Sequence, residues 1–225
     1  MFLGVNRLVG CCAVLCCLGT DPLLRGTDRE SPNPAPQTLS KIDKDLLDDI
    51  SRRSFRYFLE QTDPRTGLVF DRAFTNGRPV VDPLSHKRVV SIAATGFGLT
   101  AFCIAADHRW IGREMARERV LAALRFFASG AAQEHGWFYH FMDGATGARV
   151  WHSEVSSIDT AWLLAGILTV RACFQGDQEI VDLATRIYNR VDFPWMMEGS
   201  QISFAHGWTP EKGFLRTGGI RTANS

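Results

Sequence analysis

Between Gly136 and Trp162 the chain gathers the residue types that bind and cleave sugars. The stretch reads Gly136-Trp137-Phe138-Tyr139-His140-Phe141-Met142-Asp143. After a short turn it continues Val150-Trp151-His152-Ser153-Glu154-Val155-Ser156-Ser157-Ile158-Asp159-Thr160-Ala161-Trp162. Aromatic faces stack on the C–H patches of a sugar ring, while carboxylates and imidazoles bind its hydroxyls. Hydrolysis of a glycosidic bond needs two acids, one to protonate the leaving oxygen and one to activate water or attack. Glu154 and Asp159 are the leading catalytic candidates. Ser156 or Ser157 is placed to cap a helix, which puts Asp159 in its first turn, where the helix dipole stabilises an anion. An acid in that place is also common without any substrate. Glu154 lies ahead of the helix, in the loop, and is better placed to act on a ligand.

The aromatics Trp137, Tyr139 and Trp151 are candidate substrate-binding platforms, or anchors that pin a hairpin to the core. His152 is a hydroxyl ligand or a surface residue. His206 and Trp208 form a second aromatic patch in Phe204-Ala205-His206-Gly207-Trp208, and Asp71 with Arg72 form a third polar group. Other chemistries find little support. No phosphate-cradling glycine loop stands between a strand and a helix, no nucleophile elbow is present, and no paired histidines or cysteines have metal-ligand spacing. No metal and no cofactor are therefore expected. Lys and Arg total 25 against 24 Asp and Glu, a net charge of +1, so no nucleic acid or anionic membrane surface is indicated as partner.

The elements that must position these residues read as helices of two kinds. Ser40 to Gln61 is amphipathic, with Ile42, Leu46, Ile50 and Phe58 on one stripe. Ser91 to Ala106 is apolar nearly all round, and its Gly96 and Gly98 permit close packing against neighbours. Gly112 to Ala128 is amphipathic, Ser157 to Phe174 apolar all round, and Asp177 to Val191 amphipathic again. A buried helix needs cover on every side and an amphipathic one on a single side, so the alternation suits two concentric rings. The expected class is all-α: a partial arc of an α/α toroid with about five helices. The joins from inner to outer helices are short, and those from outer to inner are long, which collects the long, hairpin-like loops on one rim. Two of these loops share a motif, Asp63-Pro64-Arg65-Thr66-Gly67 and Asp143-Gly144-Ala145-Thr146-Gly147, at equivalent points of an outer-loop-inner unit. An internal repeat is the favoured reading.

Residues 1–20 have the layout of a secretory signal: one positive charge before an uncharged apolar run, Leu8 to Leu18, that is too short to span a bilayer. The expected location is secreted or periplasmic. Leu8-Val9-Gly10-Cys11 has lipobox-like chemistry with too little apolar chain ahead of it, which makes a lipid anchor the weaker alternative. Residues 21–39, with Pro32, Pro34 and Pro36, read as a linker, and residues 40–215 as the helical domain. Four of the six cysteines lie in the signal segment. The remaining two, Cys103 and Cys173, sit in apolar helical patterns where an inert buried thiol is the default.

At Ser153-Glu154-Val155-Ser156-Ser157-Ile158-Asp159-Thr160-Ala161 the sequence resembles the bacterial glycoamylase-like family. That family is related to β-1,2-glucan-cleaving enzymes and includes a domain of cyclic β-glucan synthases. Thr66 to Arg72, Ser91 to Leu99, Trp137 to Phe141 and Gly213-Phe214-Leu215 match in the same order. The resemblance implies an (α/α)6 toroid and inverting hydrolysis of a β-glucan, β-1,2-glucan foremost, with Glu154 and Asp159 in the cleft. After Gly-Phe-Leu the family continues with an aromatic, acidic segment, whereas here Arg216 to Ser225 has neither apolar period nor acid. That tail reads as truncated or frameshifted, and as a fragment the chain is expected to be inactive if its second acid is missing. The alternative is a non-catalytic helical module that binds carbohydrate or a partner.

Overall fold

The structure, a computed structural model, describes residues 38–83 and 87–215. The expected signal segment 1–20, all but the last two residues of the expected linker 21–39, and the tail 216–225 lie outside the described residues. The fold is helix-rich: α1 (Lys41–Gln61), α2 (Ile92–Asp107), α3 (Arg113–Ser129), α4 (Ser157–Cys173) and α5 (Gln178–Asn189), followed by a short α6 (Phe193–Met197). The five long helices lie within a few residues of the segments marked by hydrophobic periodicity.

The starts of α2, α4 and α5 are set by side-chain caps. Ser91 accepts the Ala94 N–H at α2, Ser156 the Asp159 N–H at α4, and Asp177 the Ile180 N–H at α5. Asp192 caps α6 in the same way, with Pro194 in its first turn. This helix carries too few turns to show a periodicity in sequence.

Packing divides the helices into two layers. The most extensive contact joins α2 to α4, while α1 and α3 pack on α2, and α5 packs on α3 and α4. Glycines allow the α2–α4 approach: a Cβ at Gly96 would collide with the Trp162 carbonyl, and one at Gly166 with the Gly96 carbonyl. Gly98 plays the same part toward the loop, where a Cβ would lie 2.8 Å from Val69 Cγ2. The core between the layers includes Leu99, Phe102, Leu124, Phe127, Leu163, Ile167, Ile180 and Ile187, all nearly inaccessible to water. Burying such side chains is the main favourable contribution to the fold.

Two parts of the apolar pattern are not covered. The first turns of α1 expose Ile42 (79%), Leu46 and Ile50, so only the end of the expected stripe, around Phe55 and Phe58, is packed. On α2 and α4 the residues Phe97, Ile104, Ile158, Trp162 and Leu168 are also exposed. Both helices are apolar nearly all round, yet the described residues leave these side chains uncovered.

Among the described residues, seven short strands stitch the long connections together. β1 (Val89–Ser91), from the α1–α2 connection, pairs antiparallel with β4 (Phe141–Asp143), from the α3–α4 connection, with Val90 opposite Met142. β2 (Gln133–Glu134) pairs with β3 (Trp137–Phe138). β5 (Val155–Ser156) pairs with β6 (Gly207–Thr209), from the segment after α6, and β6 with β7 (Gly213–Leu215). Strands pair laterally across 4.7–4.9 Å spacings, so these pairings bring three remote stretches of sequence side by side.

The two Asp-x-x-Thr-Gly loops have one geometry. In each, the Asp carboxylate accepts the N–H groups two and three residues on: Arg65 and Thr66 in the first, Ala145 and Thr146 in the second. In each, the Gly N–H donates to the Asp carbonyl at 2.8 Å, and the Gly takes a left-handed φ of 69° or 70°. The Thr hydroxyl accepts the N–H of the residue after the Gly in both. A conformation that L side chains rarely adopt explains why Gly ends both motifs.

Candidate active site

The cap of α4 and the strand before it converge on three ionisable side chains. His140 follows β3, where the Tyr139–Val155 bridge and the His140 N–H to Glu154 carbonyl bond of 2.9 Å hold it beside the Glu154 strand. The His140 carbonyl accepts the Ile92 N–H, which ties the same strand to the start of α2. His140 Nδ1 lies 3.1 Å from Glu154 Oε1 and 3.5 Å from Asp159 Oδ2. The Ser156 hydroxyl, which caps α4, also donates to Asp159 Oδ2. All three side chains are half-buried, and their donor atoms lie within 4.8 Å of one another.

This arrangement holds two carboxylates on one imidazole at a helix N-terminus. One nitrogen and two carboxylates also form a donor set that a divalent cation could bridge, an option that sequence spacing did not signal because the three residues come from two strand ends and a helix turn. Gly207 makes room for Glu154: a Cβ there would lie 2.5 Å from the Val155 carbonyl and 2.9 Å from Glu154 Cγ.

An aromatic run leads away from the cluster. The His140 ring stacks on Phe141 at 3.8 Å, and Phe141 meets Trp151 edge-on at 5.1 Å. Trp151 is exposed, donates its indole N–H to Asp82 at 2.9 Å, and lies 5.6 Å from the Arg72 guanidinium. Arg72 also pairs with Asp71. Arg72, Val80, Asp82, Pro83, Val89 and Trp151 surround a small pocket of about 80 Å³. Trp151 and His152 both have left-handed φ values, 56° and 51°, which are unusual for residues with side chains. The Arg149 guanidinium stabilises this bend by binding the His152 and Ser153 carbonyls, and it pairs in two-pronged fashion with Glu211. That pairing holds the Glu211 carboxyl down at about 2.

The expected binding residues therefore separate. Trp151, Arg72 and Asp71 come together beside the cluster. His206 is exposed, and its carbonyl accepts the Ser157 N–H and hydroxyl at the start of α4. Trp208 is half-buried opposite Val155 and packs on Trp195. His152 is 90% exposed and lies near Glu211. Trp137 and Tyr139, candidate platforms or anchors by sequence, are both buried. Trp137 is 2% exposed, donates its indole N–H to the Asp192 carbonyl and packs edge-on against Phe193 and Phe204. Tyr139 is 6% exposed under Arg149, and burial pushes its phenol pKa up. Both are anchors of the hairpin.

Two features escaped the sequence reading. His140 was one aromatic-rich residue among several, and nothing in its spacing to Glu154 marked the contact. Phe97 and Trp162, read as parts of buried helices, are half-exposed and lie ring to ring at 5.0 Å. Trp162 stands three residues after Asp159, on the same helix face.

Comparison with known proteins places this site in a context. The chain is similar to β-1,2-glucanases. It is 26% identical over 196 residues to an exo β-1,2-glucooligosaccharide sophorohydrolase (non-reducing end) of Parabacteroides distasonis, across 83% of this chain and 26% of the relative. Its structure matches an endo-β-1,2-glucanase from Chitinophaga pinensis, captured with sophorotriose and glucose, with a TM-score of 0.65 and 25% identity over 78% of this chain and 42% of that one. It also matches a Bacteroides caccae protein provisionally named a glucoamylase, with a TM-score of 0.65 and 29% identity over 76% and 42% of the two chains. The chain thus spans about a quarter of the curated relative and less than half of these solved structures. No protein-family model matches it.

Proposed function

We propose that the chain is part of a glycoside hydrolase acting on a β-glucan, with β-1,2-linked glucose chains as substrate. The observation that carries this reading is the His140–Glu154–Asp159 cluster at the capped start of α4, beside the exposed Trp151. The likeness to enzymes named for β-1,2-glucan supports the same substrate class. The two-layer helix packing supports an (α/α)6 toroid, of which the described helices make an arc. In this reading Trp151 and the Phe97–Trp162 pair stack on sugar rings, and Asp71 and Arg72 bind hydroxyls. The layout of residues 1–20 supports secretion, with a lipid anchor at Cys11 as the lesser alternative.

An inverting pair of carboxyl groups stands about 6.5–9.5 Å apart to leave space for water. Glu154 and Asp159 are nearer than that. Inversion therefore uses one of them against a further carboxylate, with the other as its partner through His140. The short separation favours a second reading as well, in which the cluster binds sugar hydroxyls without turnover.

The test is incubation of the full chain with β-1,2-glucan, with product sugars and their anomeric form followed by NMR. Release of oligosaccharides that Glu154→Gln abolishes supports the enzyme. Saturable binding of the glucan without products supports the binding module, and neither binding nor turnover rejects both.

A further inference from the structure

Far from the carboxylate cluster, near the C-terminal ends of α2 and α4, two thiols meet. Cys103 and Cys173 are the two cysteines among the described residues, both are free thiols, and their side chains interact. They are 70 positions apart in sequence, yet the packing of the two helices makes their meeting regular. Gly96 of α2 and Gly166 of α4 are in backbone contact. Cys103 follows Gly96 by seven residues and Cys173 follows Gly166 by seven, about two helical turns in each case. The two helices therefore run side by side in the same direction. The glycines set the spacing, and the cysteines meet two turns further along.

The two sulfurs differ in a way that suits exchange chemistry. Cys173 is partly open to solvent at the last residue of α4, and Cys103 is buried behind it. The neighbouring Cys103 thiol, with help from the nearby Arg113 guanidinium against the effect of burial, brings the Cys173 thiol down to about 7. The same contact, together with burial, holds the Cys103 thiol protonated. An accessible thiolate in front of a buried thiol is the arrangement of an attacking and a resolving cysteine.

We propose that Cys103 and Cys173 are a disulfide-forming pair that locks the α2–α4 contact under oxidising conditions. The co-reactant is a small disulfide such as oxidised glutathione. The Cys173 thiolate attacks one sulfur of the reagent, forming a mixed disulfide and expelling one glutathione thiolate. Cys103 then loses its proton and attacks Cys173 sulfur, forming the Cys103–Cys173 bond and expelling the second glutathione. The protein loses two hydrogens, and the reagent gains them as two thiols. The bond closes a loop between two helices of the inner layer, and such closure restricts the unfolded chain.

The test is peptide mapping of the full chain after native incubation with oxidised glutathione at pH 8, with thiols blocked before digestion. Trypsin places Cys103 in the peptide 89–109 and Cys173 in the peptide 172–186, so the four N-terminal cysteines do not interfere. The expected result is a linked 89–109/172–186 species that reducing agent separates, together with a thermal melt several degrees higher in the oxidised than in the reduced chain. Cys173→Ser removes the linked species, and Cys103→Ser arrests at the glutathione adduct on Cys173. Three results would overturn the proposal: a wild-type adduct on Cys173 that persists without resolution, both thiols unreacted in the native chain, or a linked species that forms only after denaturation.

Discussion

Ala94 and Asp159 occupy the same place in two copies of one helix start. Each N–H donates to a capping serine three residues earlier, Ala94 to Ser91 at 3.3 Å and Asp159 to Ser156 at 3.2 Å. The next residue is a threonine in both, and each hydroxyl accepts a backbone N–H from the adjoining loop: Thr95 from Val69 and Thr160 from Phe138. The α2 copy builds this start without an acid, so α4 does not require one for its fold. Asp159 is expected to fold as Asp159→Ala with a loss of no more than about 1 kcal/mol, the usual size of a charge-dipole effect in a first turn. Turnover of β-1,2-glucan is expected to fall by about 10²-fold or more. Thermal melts and product assays on the same preparation check both. Collapse of the fold would make Asp159 a structural cap after all.

Trp137 and Trp151 are expected to behave oppositely. Trp137→Ala removes a fully packed indole and its hydrogen bond to Asp192, and should cost about 3–5 kcal/mol of stability. Trp151→Ala empties an exposed site and should leave the melt nearly unchanged while weakening affinity for the glucan. Denaturant unfolding and glucan titration of the two variants make the comparison. Loss of affinity in neither would remove Trp151 from the site.

Gly96 and Gly166 are expected to tolerate no side chain. A methyl group at either collides with backbone rather than with a movable side chain, so α2 and α4 must separate along their whole contact. Gly166→Ala should destabilise by about 2 kcal/mol or more, although alanine raises intrinsic helix propensity. A denaturant midpoint equal to the wild type would show that the helices can shift at no cost.

The Arg149–Glu211 pair supplies a pH dependence with a definite sign. Glu211 is an exposed carboxyl brought from 4.5 to about 2 by its bonds from Arg149. A depressed folded value means that the stabilisation is complete above about 4.5 and fades as the pH falls toward 2. Burial pushes the Asp143 carboxyl up, but bonds from Thr146 and Ala145 outweigh it and hold it below its ordinary value, so its contribution also fades in acid. The difference between wild type and Glu211→Gln isolates the pair. Melting temperatures should differ most above pH 4.5 and converge near pH 2, and a gap constant across this range would show that the pair has no part in stability.

Several features of this protein are determined by sequence alone. Apolar periodicity marks the five long helices, because a helix buries a stripe at a fixed repeat whatever its neighbour is. The capping residues Ser91, Ser156 and Asp177 act within three residues of their partners, and the Asp-x-x-Thr-Gly turns close on themselves, so both are local and readable. Glu154 and Asp159 are visible as candidates by type and by their place before and within a helix start. The tertiary structure alone decides what depends on distant segments. Trp137 looks like Trp151 in sequence, but Asp192, Phe193 and Phe204 close over the first and nothing described closes over the second. His140 becomes part of the site because a strand pairing sets it beside Glu154, and side-chain spacing across paired strands has no signature along the chain. Cys103 and Cys173 meet because two glycines let their helices touch, and the direction and register of that touch exist only once the helices are packed.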